Sequence, residues 1–260
     1  MAPAAGPEPG TPLIVYQGIY KSFDTKKVLN NINLKVYEGE TLVILGRSGS
    51  GKTVMVSMLV GLTRPNQGTV TIGGVDITKL NSEAEWQELR LKTGYLFQGS
   101  ALFDSMTVGE NVAFPMVHHR DYGPEELERR VKEKLAQVGL EGVENLEPSA
   151  LSGGMQRRAA LARSLALDPQ IIIYDEPTSG LDPLTGDEIG HLIRHLQKTL
   201  KVTSMVVTHD LRLTQLVADR LALLYEGDVV FLGTIDELAG ATHPEVHRFL
   251  ASTPLEDKTG

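Results

Sequence analysis

The chain has 260 residues, 41% of them hydrophobic, with a formal charge of -8 and no cysteine. That length suits one domain, or one core with an inserted subdomain. The composition excludes disulfides and thiolate metal sites and gives no electrostatic reason to bind nucleic acid or an anionic membrane surface. No run approaches the roughly 18 apolar residues that a membrane helix needs.

The opening MAPAAGPEPGTP has no basic segment followed by an apolar one, so it does not read as a secretory signal. Its Pro, Gly and Ala content predicts a disordered leader over residues 1–11. Leu13 to Gln17 reads as a short strand, and Ile32, Leu34 and Val36 alternate with polar residues as in a half-buried one. Thr41 to Leu45 is continuously apolar, which predicts a strand buried on both faces. Thr69 to Ile77 reads as a hairpin turning at Gly73-Gly74. The first third is thus expected to hold an antiparallel sheet beside the start of a parallel one.

The middle is predicted to be helical. Thr107 and Glu110 form a capping box, and Pro124 suits a first helical position. Leu127, Val131, Leu135 and Val138 share one helix face, with Gly139 as the stop. A further helix follows Ser152. Strands and helices then alternate: Ile171 to Asp175, Pro183 to Leu200, Val202 to Thr208 and Leu211 to Ala218. A hairpin from Leu221 to Leu232 turns at Glu226-Gly227. That alternation predicts a parallel sheet wrapped by helices, with the helical middle as an insertion.

Gly46-Arg47-Ser48-Gly49-Ser50-Gly51-Lys52-Thr53 fits a phosphate loop between a strand and a helix. Its backbone amides would wrap phosphates, Lys52 would reach the β- and γ-phosphates, and the Thr53 hydroxyl would ligate Mg²⁺. The run Ile171 to Glu176 ends in two carboxylates. Asp175 would hold Mg²⁺ and Glu176 would act as general base, because a Mg-nucleotide site needs a carboxylate at a neighbouring strand end. Gln98, ending "GYLFQ", is either a solvated strand-end residue or a contact to Mg²⁺ or water. His209 is either a polar residue before a helix or a contact to the γ-phosphate. Asp182 before Pro183 makes a helix cap, with an interface role open. Phe23 reads as core on composition, with stacking on a purine the alternative. His118, His119, His191, His195, His243 and His247 read as solvated. Leu151 to Met155, "LSGGM", opens a helix with small residues, the local chemistry of a second anion site.

From Leu13 to Leu232 these motifs resemble the nucleotide-binding subunit of an ATP-binding-cassette (ABC) transporter. They occur in that family's order: the phosphate loop, Gln98, "LSGGM", "IIIYDE", "SGLD" at Ser179 and "TH" at His209. Arg47 departs from the proline common after the first glycine, and its side chain is expected to point away. The resemblance implies an α/β fold, a P-loop NTPase with a RecA-like core sheet wrapped by helices. It also implies an N-terminal antiparallel β-subdomain and an inserted α-helical subdomain at about residues 100–165. The ATP-binding domain would span 12–234 and a C-terminal extension 235–260.

The resemblance further implies that Phe23 stacks on the base and that residues 46–53 bind ATP. Thr53, Gln98 and Asp175 would serve the metal, and Glu176, His209 and Gln98 hydrolysis. It implies a head-to-tail dimer in which Ser152, Gly153 and Gly154 of one copy cover ATP on the other, with Asp182 at the same interface. "FQGSALFDSMTVGENVAFP", "LSGGMQRRAALARSLALDP" and "HPEVHRFLASTP" look like the Mla/Mkl branch, the ATPases of Mce-type phospholipid transporters. The implied partners are a second copy, a membrane permease, an Mce-type lipid-binding protein and a small regulatory subunit, without nucleic acid. The implied location is the cytoplasmic face of the inner membrane. A motor for a polar solute such as an amino acid, and a soluble cassette ATPase outside transport, are the alternatives.

Overall fold

The two long alternating strands and the continuously buried strands go into different sheets. In the computed structural model, which describes residues 10–252, β1 (Pro12–Phe23) and β2 (Lys26–Tyr37) alternate buried and open positions. β3 (Thr41–Leu45) is buried at every residue, and β4 (Gln67–Ile72) and β5 (Val75–Asp76) form the expected hairpin. Later come β6 (Thr93–Leu96), β7 (Ile171–Asp175), β8 (Thr203–Thr208), β9 (Arg220–Tyr225) and β10 (Asp228–Gly233). The antiparallel sheet has the order β2-β1-β4-β5 and the larger sheet the order β10-β9-β3-β8-β7-β6, parallel except for β10.

The larger sheet is covered on both faces at its centre, which is why β3, β7 and β8 are buried at every residue and carry no alternation. Leu42, Ile44, Ile173 and Val207 face a core shared with the antiparallel sheet and α1 (Lys52–Leu59). Trp86 of α2 (Glu83–Arg90) joins that core. Val43, Leu45, Ile172 and Val206 face the other core, built with helices. These are α3 (Val108–His119), α4 (Pro124–Gln137), α5 (Gly153–Ser164), α6 (Pro183–Leu200) and α7 (Leu211–Val217). α8 (Ile235–Ala239) and α9 (Pro244–Ser252) add Leu238, Val246 and Phe249 to it. α5 packs on α3 and α4 and also on β6, so one helix serves the helical segment and the crossover from β6 to β7. No helix among the described residues is long and apolar enough to cross a membrane.

Three expectations need correction. β1 does not stop at Gln17: Gly18, at φ +60, opens a bulge, and pairing resumes with Ile19 opposite Ile32. Phe23 is not core but 47% exposed, because it ends β1 at the turn into β2. β6 ends at Leu96, so Gln98 lies two residues past the strand rather than at its end. The leader expected over residues 1–11 falls almost wholly on residues 1–9, outside the described residues, as do residues 253–260 of the extension.

One buried amide organises the loop into α3. The Asn111 side chain accepts from Phe103 N–H at 2.8 Å and donates to the carbonyls of Phe103, Met106 and Thr107 at 3.0, 3.2 and 3.0 Å. Asn111→Leu keeps the volume and strands those backbone groups. It is expected to lower stability by about 2–4 kcal/mol, read as a lower denaturant midpoint at unchanged slope.

Candidate active site

Strand order gathers the chemistry. β3, β8 and β7 are neighbours and parallel, so their carboxyl ends lie side by side, where open α/β sheets bind ligands. The end of β3 carries the loop from Gly46 into α1. The end of β7 carries Asp175 and Glu176, and the end of β8 carries Thr208 and His209.

The loop is shaped for an anion. Gly51 has φ +106, and a Cβ there would meet Leu29 Cδ2 at 2.8 Å and the Val28 carbonyl at 2.9 Å, so no side chain fits. The amides of Gly49, Gly51, Lys52 and Thr53 have no hydrogen-bond partner among the described residues. Two of them belong to the first turn of α1, which contributes roughly half a positive charge. Ser50 Oγ is buried and lacks a partner among the described residues. Arg47, Ser48 and Gly49 form the exposed rim of the loop, while Gly46 is buried. These are the properties of a polyphosphate cradle.

Lys52, 5% exposed, donates to the carbonyls of Gly46 and Arg47 at 2.8 and 3.1 Å and lies 3.6 Å from Glu176 Oε1. Burial lowers its pKa, and the neighbouring Glu176 charge opposes that shift. Thr53 Oγ1 donates to Asp175 Oδ1 at 3.2 Å, and Tyr95 Oη donates to Asp175 Oδ2 at 3.2 Å. Burial raises the Asp175 pKa, and the two hydroxyl donors pull it back. A hydroxyl beside a buried carboxylate is a hard-oxygen donor set that suits Mg²⁺.

Glu176 sits at φ +48, a left-handed conformation that costs a non-glycine residue about 1–3 kcal/mol. Its N–H donates to the Val207 carbonyl at 2.9 Å, which holds the strained turn. Oε2 accepts from Thr208 Oγ1 at 3.3 Å and lies 2.9 Å from His209 Nδ1. The His209 side chain is 61% exposed against 12% for Glu176, so the imidazole forms the outward side of the pair. The carboxylate thus stands between a buried ammonium and an exposed imidazole.

The structure therefore joins Lys52, Thr53, Asp175, Glu176 and His209 into one cluster. Other predicted residues stand apart from it. No hydrogen bond or ion pair among the described residues links residues 46–53 to Phe23, Gln98, Ser152, Gly153, Gly154 or Asp182. Gln98 is exposed. Phe23 carries the Lys21 ammonium 4.6 Å from its ring centroid. Ser152 caps α5 by accepting from Met155 N–H, and Asp182 caps α6 by accepting from Thr185 N–H. A Cβ on Gly154 would meet Thr185 Cγ2 at 2.6 Å, so the glycine lets the starts of α5 and α6 touch. Ser152, Gly153 and Asp182 consequently lie exposed on one surface. The six remaining predicted-solvated histidines are all exposed. Tyr95 and Thr208 were not predicted: each touches a carboxylate from a different strand, and nothing local in the sequence signals that.

Cradle, carboxylate pair and strand order together define a nucleotide-dependent cassette, and the chain belongs to the ABC transporter family, whose model matches residues 29–179. It is 40% identical over 237 residues to the probable ribonucleotide transport ATP-binding protein mkl of Mycobacterium tuberculosis, covering 91% of this chain and 66% of that one. The chain thus spans just under two thirds of that relative's length. It is 42% identical over 224 residues to the intermembrane phospholipid transport system ATP-binding protein MlaF of Haemophilus influenzae, covering 86% of this chain and 84% of that one. Among solved structures it resembles the dimeric post-hydrolysis state of the cassette MJ0796 bound to ADP and Pi. There the TM-score is 0.78 at 33% identity, over 85% of this chain and 98% of that one.

Proposed function

We propose that this chain is the ATP-hydrolysing subunit of an ABC transport complex that moves phospholipid. The observation that carries the hydrolytic reading is the cluster of Lys52, Glu176 and His209 beside Thr53 and Asp175 at adjoining strand ends. The lipid assignment draws on the similarity to MlaF. The ribonucleotide name of the mycobacterial relative supports a polar solute as the second reading.

In the proposed reaction, residues 46–53 and Lys52 hold the phosphates of ATP while Phe23 stacks on the base. Thr53, Asp175 and Gln98 would hold Mg²⁺. The metal supplies charge neutralisation of the phosphates. Glu176 takes a proton from the attacking water, and His209 orients Glu176 and contacts the γ-phosphate. The exposed surface of Ser152, Gly153 and Asp182, with the half-buried Gly154 beside them, covers the ATP of a second copy. The dimeric state of MJ0796 supports that arrangement.

A cleft of about 800 Å³ lies between β6 and α3, lined by Tyr95, Phe97, Phe103, Phe114, His119 and Arg163. We assign it to a cytoplasmic helix of a membrane permease, which would hold the chain at the inner face of the membrane. The segment of about 100–165 is then the helical subdomain that moves on closure, within an ATP-binding domain of 12–234. An Mce-type lipid-binding protein and a small regulatory subunit complete the proposed complex.

Tyr95→Phe removes one donor from Asp175 and is expected to raise the Mg²⁺ concentration for half-maximal ATPase by roughly 10-fold. Burial already lifts the Asp175 pKa, so acidification removes its charge earlier than for an exposed aspartate. The Mg²⁺ requirement therefore rises as pH falls, and a Mg²⁺ titration at several pH values checks both effects. The substrate is tested by purifying the chain with its membrane partners and identifying what the complex carries. Bound phospholipid and lipid-stimulated ATPase are expected. A complex stimulated only by a polar solute would favour the second reading, and the absence of any membrane partner would contradict the transport role.

A further inference from the structure

Arg157, one turn inside α5, is 3% exposed, yet no carboxylate among the described residues pairs with it. Burying an unpaired guanidinium is unfavourable unless fixed dipoles hold it. Here two backbone carbonyls do so. Nη1 donates to the Phe97 carbonyl at 3.3 Å and Nη2 to the Ser179 carbonyl at 3.1 Å, while Nε is buried without a partner among the described residues.

Both carbonyls lead back to the reactive carboxylates. The Phe97 ring stacks on Tyr95 with centroids 4.3 Å apart, and Tyr95 Oη donates to Asp175 at 3.2 Å. Ser179 N–H donates to the Glu176 carbonyl at 3.1 Å. A continuous path thus leaves Asp175, passes Tyr95, Phe97 and Arg157, and returns through Ser179 to Glu176. Phe97 precedes Gln98, Ser179 lies three residues before Asp182, and α5 begins at the Ser152 cap. One side chain joins three segments that the sequence keeps far apart.

We propose that Arg157 is a positioning residue for ATP hydrolysis. It ties the first turns of α5 and the Gln98 and Asp182 segments to the two carboxylates, so that they set Glu176 as a unit. This rests on the hydrolytic reading above. A guanidinium suits the task because its planar fork spans two acceptors, whereas a lysine ammonium on a flexible stem satisfies one of them with good geometry.

The test uses the full chain with Arg157→Met, which keeps the packing, and Arg157→Lys, which keeps the charge. Nucleotide affinity, kcat, KM, the Hill coefficient for ATP and the unfolding midpoint are measured on each. Nucleotide affinity is expected to match wild type, because Lys52 and Thr53 are untouched. For Arg157→Met, kcat falls roughly 10- to 100-fold and the Hill coefficient moves toward 1. Arg157→Lys lies between, a partial rescue that loss of folded protein would not produce. A folded Arg157→Met with wild-type kcat and Hill coefficient overturns the proposal, as does a kcat loss that only tracks the unfolded fraction. If Arg157→Met does not fold, wild-type kcat in Arg157→Lys overturns it. Wild-type chain without ATPase activity overturns both this role and the hydrolytic reading. Active wild type with unaffected variants overturns this role alone.

Discussion

Glu176→Gln lowers ATP turnover by roughly 10²–10⁴-fold while leaving MgATP binding intact, so that the nucleotide-bound dimer accumulates. The reason lies in what the amide keeps. It fills the same space at φ +48 and still accepts from Thr208 Oγ1, so the turn survives. It cannot take a proton from water, and it removes a negative charge 3.6 Å from the Lys52 ammonium. The phosphates then meet less repulsion, and affinity holds or rises. Turnover assays and size measurement with and without MgATP check both halves. Wild-type turnover, or no gain of dimer, would remove the role assigned to Glu176.

Lys52→Ala has the opposite profile, losing binding and turnover together. Charge-assisted hydrogen bonds to phosphate contribute about 1.5–3 kcal/mol, so nucleotide affinity should weaken by roughly 10- to 100-fold. The substitution also leaves Glu176, whose side chain is 12% exposed, without its cation. Nucleotide titration of the purified chain decides the matter, and retained wild-type affinity would dismantle the site. The pair of variants separates holding ATP from cleaving it.

What the sequence made legible is what local backbone chemistry encodes. The phosphate loop needs glycines within eight consecutive residues, Gly46 to Thr53, and a helix that starts at their end. α6 spans Pro183 to Leu200 as expected, because Asp182 caps it and Pro183 fits its first turn. β3 reads as a doubly buried strand because it is continuously apolar, and the apolar run of β7 reads as a strand up to its two terminal carboxylates. The failures come from tertiary context. Gly18 looks like a strand end and is a bulge, since the residues after it find partners in β2. Phe23 looks like core and is half exposed, since a hairpin turn follows it. Tyr95 and Arg157 have no local signal at all. Their partners, Asp175 and the Phe97 and Ser179 carbonyls, are set by strand order and helix packing.

The exposed surface of Ser152, Gly153 and Asp182 shares no hydrogen bond with residues 46–53 among the described residues, as the proposed division of the site between two copies requires. A mixing experiment tests it. Gly153→Asp is sterically mild, since a Cβ there would meet only Leu181 Cδ2 at 3.5 Å. It places a negative charge where a partner's phosphate would sit. Lys52→Ala and Gly153→Asp chains are each expected to be inactive alone. Mixed, they form dimers with one intact composite site, and MgATP-dependent dimerisation and ATPase activity reappear above either parent. Wild-type activity in Gly153→Asp alone, or a mixture no better than its parents, would contradict the divided site.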